Sequence, residues 1–381
     1  MTETSPVRAR WAVGAIFFLH GSIWGSWVPH LPLAKERLDV GPGLFGLLLL
    51  MIAAGAVTAM PIAGALINRY GSARVTAVTG VLFSLLFLGP VLSSTISMFV
   101  VTGFLFGAAT GSMDVAMNAH GIAVEKALRR PTLSIFHGFF SLGGMMGAFL
   151  GALALKFGSE GLHVTLASLT CLAALLAAFR YMLPADTDKG LSGANFAWPT
   201  RATVGLGLLA FLVLMAEGSV VDWSAILMRE SFRLDASSAA MAYGFFSAGM
   251  TAARLAGDWL RLKLGAVHLV RWSALIACGS ITLAVAVDWA DLSILAFGFA
   301  GLGLGNIAPI LFAGGGRLEP SAPGRGIAAV TTLGYAGFLA GPPLIGFLAE
   351  ATGLPASFGL IAAAILVIAV FAPAVRTSDT Y

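Results

Sequence analysis

The sequence predicts an all-α integral membrane protein with twelve transmembrane helices in two pseudo-symmetric six-helix bundles, and three observations carry that prediction. The first is composition: 58% of the residues are hydrophobic and 10% charged, with a mean hydropathy of +0.91, whereas a soluble domain holds roughly 45–50% apolar and about 25% charged residues. The second is the length of the apolar runs. Turn and charge clusters cut the chain into about twelve stretches near the ~20 residues that cross hydrocarbon as a helix, and their lack of strict alternation argues against a β-barrel. The third is an internal repeat. His20-Gly21-Ser22-Ile23-Trp24-Gly25-Ser26-Trp27 aligns with Glu217-Gly218-Ser219-Val220-Val221-Asp222-Trp223-Ser224, an offset of 197 residues (217 − 20) in a chain of 381.

In order, the spans are expected near residues 9–31, 43–67, 74–92, 97–124, 131–156, 161–183, 201–228, 237–258, 266–288, 291–314, 326–350 and 354–374. Arg8 and Arg10 ahead of the first apolar run resemble a signal peptide, but Trp24, Trp27, Pro29 and Pro32 follow where a small-residue cleavage site would stand, so an uncleaved first span is expected. The longest polar stretch between spans, Pro184 to Thr200, reads as a linker joining an N-terminal bundle (1–183) to a C-terminal bundle (201–381). Basic residues fall in alternate loops. Of 22 Lys and Arg, only Lys35, Arg37, Lys156, Arg229 and Arg233 are left on the outer side, which puts both termini in the cytoplasm. Placed loop by loop, the net charge of +4 is a topology device facing an acidic lipid surface, not a nucleic-acid site. Cys171 and Cys278 lie inside apolar runs in different halves and form no CxxC or Cys/His metal cluster, so both read as packing residues.

Between spans 2 and 3 stands Gly64-Ala-Leu-Ile-Asn-Arg-Tyr-Gly71, followed by Arg74; after span 8 comes a degenerate echo, Ala256-Gly-Asp-Trp-Leu-Arg-Leu-Lys-Leu-Gly265. This resembles the short-loop signature of the major facilitator superfamily, and with the twelve spans, the central linker and the repeat the resemblance covers nearly the whole chain. Met113-Asp-Val-Ala-Met-Asn-Ala-His-Gly121, Phe136-His-Gly-Phe-Phe-Ser-Leu-Gly-Gly144 and Glu217 to Ser224 are similar to the bacterial subgroup typified by the rhizopine-associated MosC and the inner-membrane protein YbjJ. The resemblance implies a carrier in the bacterial inner membrane, with a weak link to inositol-like or sugar-like solutes. It also implies a cytoplasmic latch at the signature loop, but Asn68 stands where the signature has Asp, so that latch would rest on Arg69 and Arg74. Span 4 has Thr102, Gly103 and Phe104 near where drug/proton antiporters carry an arginine. The glycine-proline stretch Gly334 to Pro343 falls in span 11 instead of span 5. Both departures speak against drug efflux.

Ionisable side chains in hydrocarbon are costly and persist where they face a polar path or a partner. In span 7, Glu217 lies at or beyond mid-membrane and is a candidate for solute binding or proton coupling. Asp222 sits about 140° around the helix from it, toward the outer edge, as a proton-coupling group or an outer cap. His20, the repeat partner of Glu217, can donate and accept hydrogen bonds with a hydroxylated solute. Trp24 and Trp27 extend its stripe, and an aromatic face there can stack on a sugar ring. Asn306, in a glycine-rich span 10, and Tyr335 complete the candidate solute contacts, with Tyr243 weaker. Asp114, Asn118 and Glu125 share one face of span 4: Asp114 for proton coupling or a structural pair, Asn118 for gating, and Glu125 as an anchor beside Lys126 and Arg129 or a gate. His137 reads as an inner-gate or structural group, and Arg254 with Asp258, four residues apart, as an inner-edge ion pair. His30, His120, His163 and His268 lie near loops and receive no role.

The function these features support is secondary active transport of a small polar organic solute by alternating access, with a proton gradient as the driving force and no cofactor or metal. The competing reading is proton-driven export of amphipathic drugs or metabolites, suggested by 26 phenylalanines and by the occurrence of a glycine-proline stretch at all, displaced to span 11 as it is. No P-loop, HExxH or GxSxG is present, which removes ATP-driven transport and the commoner hydrolase chemistries. The expected partners are the solute and the lipid bilayer, with the chain acting as a monomer.

Overall fold

The computed structural model describes residues 5–130, 132–184, 187 and 197–379, and the regular structure among them is helical throughout. Most of the expected linker therefore lies outside the described residues. Ten segments, from Pro6–Leu38 to Pro323–Thr352, are long and apolar enough to cross a bilayer, and Leu354–Val370 is a shorter apolar helix. Contacts divide the chain into two compact units: Met1–Asp39 with Met51–Ser192, and Val40–Leu50 with Gly193–Tyr381.

In the first unit, α1 (Pro6–Trp27) passes through a 3-10 turn, Val28–His30, into α2 (Leu31–Leu38). Then come α3 (Pro42–Tyr70), whose first turns are counted with the second unit, α4 (Ser72–Leu86), α5 (Leu88–Leu92), α6 (Ile96–Leu128), α7 (Leu133–Lys156) and α8 (Glu160–Phe179). Helix α1 packs along α7 and α8, and α4 along α6. The second unit holds α9 (Val204–Phe232), α10 (Ala236–Ala239), α11 (Met241–Ala286), α12 (Ala290–Leu304), α13 (Ile307–Leu318), α14 (Pro323–Thr352) and α15 (Leu354–Val370). Here α9 lies against α14, and α11 against α12 and α15. Caps set some of the starts. Thr95 accepts from the Met98 amide at 3.2 Å to open α6, and Asp235 accepts from the Ser238 amide at 3.0 Å to open α10. That amide holds the Asp235 carboxyl below the usual carboxylate range.

Lipid tails offer no hydrophobic drive between helices, so close packing must come from small residues that let backbones meet. The α1/α7 seam is built this way. A methyl group at Gly21 or Gly25 would overlap the carbonyls of Phe140 or Gly144, and one at Gly143 or Gly147 those of Phe18 or Ser22. Ser26 adds a hydrogen bond to the Gly147 carbonyl at 3.4 Å. A second seam joins α3 to α6, with Gly55 on the Phe104 carbonyl and Gly107 on that of Ile52. The second unit repeats both: Gly337 meets the Phe211 carbonyl between α14 and α9, while Gly249 and Gly301 meet those of Gly298 and Phe246 between α11 and α12. The outward faces are apolar, as Phe149, Leu150 and Leu153 on α7 illustrate.

These seams fix the register of the repeat. Gly55 and Gly249, Gly107 and Gly301, and Gly143 and Gly337 are each 194 residues apart (249 − 55). So are Gly71 (φ 83°, ψ 152°) and Gly265 (φ 72°, ψ 161°), at which the signature loop and its echo break their helices. Such dihedrals clash with a Cβ, which is why both positions are glycine. The break at Gly265 divides α11 where the sequence expects two spans. On α9 the offset is 193 (211 − 18), from the carbonyls of Phe18 and Phe211 that meet Gly143 and Gly337. By this register Val213 answers His20 and Glu217 answers Trp24. The sequence alignment of His20 with Glu217 is thus one helical turn out of step, although His20 and Trp24, four residues apart, keep both on one face. The tenth expected span is also not one helix, since α12 stops at Leu304 and α13 starts at Ile307.

Candidate functional site

Helix α9 buries Glu217, 7% exposed, and α11 brings the Arg254 guanidinium to 3.7 Å from its Oε2. The sequence paired Arg254 with Asp258; the structure joins it to Glu217, across two packed helices that no local spacing connects. The other carboxylate oxygen of Glu217, Oε1, has no hydrogen-bond partner among the described residues. Tyr243, buried on α11, lies within electrostatic reach of Arg254, Glu217 and Asp222, and its hydroxyl is hydrogen-bonded with Ser247. The two acids of α9 therefore both bear on one tyrosine despite their angular separation. Gly218 leaves room for the ring of Phe338, which stacks on Tyr335 with centroids 6.3 Å apart, so Tyr335 reaches the Glu217 neighbourhood through Phe338. Asn306 stands at the break between α12 and α13, and its buried amide lies against Gly257, one turn beyond Arg254.

In the first unit His20 is 2% exposed and wedged between Phe83 and Phe140, with centroids at 4.7 and 5.6 Å. Neither of its ring nitrogens has a hydrogen-bond partner among the described residues. Phe83 stacks on Phe106 at 5.4 Å, and Trp24, half-buried, packs on the same Phe106 at 5.8 Å. Trp27, expected as a solute contact, is fully buried against Phe99 and fills the interior of the unit instead. His137 sets its ring edge-on to Phe17 at 5.4 Å.

Asn118 donates to both the backbone carbonyl and Oδ1 of Asp114, at 2.9 and 3.2 Å. Glu125, read from sequence as an anchor beside Lys126 and Arg129, accepts from the amides of Thr132 and Leu133 at 2.6 and 3.0 Å. These amides begin α7, where the helix has no carbonyls of its own to offer, so the Glu125 side chain from α6 serves as its cap. Glu125→Ala should cost about 1 kcal/mol of stability, read as a lower apparent melting temperature of the purified protein. At the signature turn Arg69 lies over the Tyr70 ring at 5.2 Å, and Asn68 and Arg74 are exposed. His120, without a role in the sequence reading, is 1% exposed: its Nε2 accepts from the Leu183 amide at 3.1 Å and its Nδ1 meets the Ser72 hydroxyl at 2.7 Å. It ties α4, α6 and the chain beyond α8 together, through partners 48 and 63 residues away. Separations of that size leave no mark on local spacing.

An all-helical membrane protein with a buried ion pair and further polar side chains inside its spans has the makings of a solute carrier, because such groups are costly in hydrocarbon and pass unused in a purely structural anchor. The chain belongs to the major facilitator superfamily, whose family model matches residues 13–314, and it is a transporter, not an enzyme. An uncharacterized MFS-type transporter of Yersinia pestis is 35% identical, with 94% of each chain covered. The membrane protein MosC of Rhizobium meliloti is 30% identical, with 90% of this chain and 84% of MosC covered. The crystal structure of the nucleoside transporter NupG superposes with a TM-score of 0.73 at 15% identity, over 96% of this chain and 98% of that one, a likeness of fold.

Proposed function

We propose that the protein is a proton-coupled secondary transporter of the bacterial inner membrane that carries a small polar organic solute, of sugar or polyol type, by alternating access. On this reading it has twelve spans in two six-helix bundles, 1–183 and 201–381, joined by a cytoplasmic linker, with both termini in the cytoplasm. The break at Gly265, the short apolar helix α15 and the glycine seams at a 194-residue offset support the twelve-span reading. The observation that carries the transport reading is the Glu217–Arg254 pair: a membrane-buried carboxylate held by one cation, with an oxygen left over. Such a carboxylate can exchange its arginine for a proton, and Arg254 can then turn to a solute oxygen. His20, Trp24, Asn306 and Tyr335 supply uncharged hydrogen-bonding and ring-stacking groups suited to a hydroxylated solute, and Asp114 and Asp222 are further proton-coupling candidates. Gating falls to Asn118, Glu125, His137, Arg69, Arg74 and Asp258. The glycine-proline stretch that had suggested drug export supplies Gly337 to the α9/α14 seam, so packing accounts for its glycines.

The test is Glu217→Gln. Solutes are first screened by thermal stabilisation of the wild-type protein, since a ligand bound only by the folded state raises apparent stability. Uptake of a stabilising sugar or polyol into proteoliposomes is then followed from pH 5.5 to 8. The variant should insert normally but lose most of the pH dependence of uptake, at least fivefold at the favourable pH. Curves superposing on wild type at every pH would remove Glu217 from the coupling path.

A further inference from the structure

At the end of α1 away from the chain's N-terminus, four polar side chains gather inside the first unit. His30 is fully buried, and its Nε2 lies 2.9 Å from Nδ1 of His163. The two rings are nearly parallel, at 22°, with centroids 5.1 Å apart, so they lie edge to edge along the nitrogen–nitrogen line. On its other side, His30 Nδ1 is 3.2 Å from Oε1 of Glu160, whose Oε2 is bonded to the Arg37 guanidinium. Arg37 also donates to the Val91 carbonyl at 2.5 Å. The His163 ring lies over Gly151 of α7, where a methyl group would crowd it. The cluster therefore fastens the end of α1, the short helix α2, the end of α5 and the start of α8 to one another. The charged groups on the surrounding elements are Lys35, Glu36 and Arg37 of α2, Lys156 at the exposed end of α7, and Glu160 of α8; Arg37 and Glu160 are joined directly.

The hydrogen bonds fix where protons can sit. A carboxylate paired with arginine only accepts, so His30 carries a proton on Nδ1 and donates it to Glu160. In a neutral His30 the lone pair on Nε2 must then accept from Nδ1–H of His163, which leaves His163 Nε2 as a vacant base. One added proton is accommodated without breaking this arrangement: it enters at His163 Nε2, or equivalently sits on His30 Nε2 with His163 accepting, and in either form a single N–H···N bond survives. A second added proton cannot be. It places N–H groups on both facing nitrogens of two cationic rings, so the bond must part. Both steps are proton uptake, so lowering the pH drives them in this order. Among the described residues no group of three or more His, Cys, Asp or Glu side chains is placed to hold a metal ion. We propose that His30, His163 and Glu160, braced by Arg37, form a proton-binding site distinct from Glu217, which holds α8 against α1 while it carries one added proton or none and releases it on taking up the second.

The experiment is a pH titration of the full-length protein, labelled with nitrogen-15 histidine, in lipid nanodiscs and followed by NMR. At pH 8.5 a through-bond nitrogen–nitrogen cross-peak should link two imidazole rings. It should persist through the first protonation and vanish reversibly as the pH is lowered further, be absent from His163→Asn at every pH, and survive with an unchanged pH response in Glu217→Gln. A cross-peak missing from wild type throughout, or one that stays unchanged down to the lowest pH at which the protein remains folded, overturns the proposal. The wild-type titration decides by itself, so a failure of His163→Asn to fold does not weaken the test. Because the readout needs no solute, it stands apart from the fate of the transport assay.

Discussion

Arg254→Met beside an intact Glu217 is expected to cost about 3–5 kcal/mol, the range for stripping one partner from a buried ion pair. The cause is desolvation. Glu217 is 7% exposed and its Oε1 already lacks a partner among the described residues, so the guanidinium 3.7 Å from Oε2 is what compensates a charge held away from water. Replacing both groups, Arg254→Met with Glu217→Gln, removes the charge along with its partner and should be less damaging than the sum of the single changes, by about 0.5–3 kcal/mol of coupling. The measurement is a double-mutant cycle on apparent unfolding free energy in a fixed detergent. Strictly additive losses would mean that the two side chains do not stabilise one another.

Gly147→Ala is expected to cost at least the upper part of the about 1–3 kcal/mol range for overpacking. The added methyl would meet the backbone carbonyl of Ser22, which cannot rotate away as a side chain can, so α1 and α7 must be pushed apart along the whole seam. Ser26 would lose its bond to the Gly147 carbonyl in the process. By contrast Gly161, with open space around it, should accept alanine with little change. Melting temperatures of the two variants make the comparison, and equal values would show that the seam yields more easily than its geometry implies.

Much of the fold is legible in the sequence because apolar length is a strong signal: a run near the width of hydrocarbon reads directly as a span. The signature turn at Gly71 and its echo at Gly265 were also visible, through their resemblance to the superfamily's short-loop signature. What escaped was register and pairing. Aligning His20 with Glu217 by the similar residues after them missed by a turn because glycine-serine steps recur along both helices, and only the carbonyls that the α7 and α14 glycines touch settle the phase. Arg254 was assigned to its neighbour four residues on because helical spacing reveals only local partners, whereas Glu217 reaches it from another helix. Glu125 and His120 were misjudged for the same reason, their partners being the start of the next helix and, for His120, a distant serine hydroxyl and a distant backbone amide. Side chains near loop ends looked idle in the sequence, yet His30 and His163 are buried against each other.

Where main chain rests directly on main chain, there are no long side chains between two helices to change rotamer and absorb a shear. The glycine-seamed pairs α1 with α7 and α9 with α14 must each travel as a single thick rod. Any flexing inside a unit is left to the articulations that lack a continuous helix, foremost Gly71 and Gly265, so stiffening these two joints would slow a working cycle more than any change made along the rods themselves.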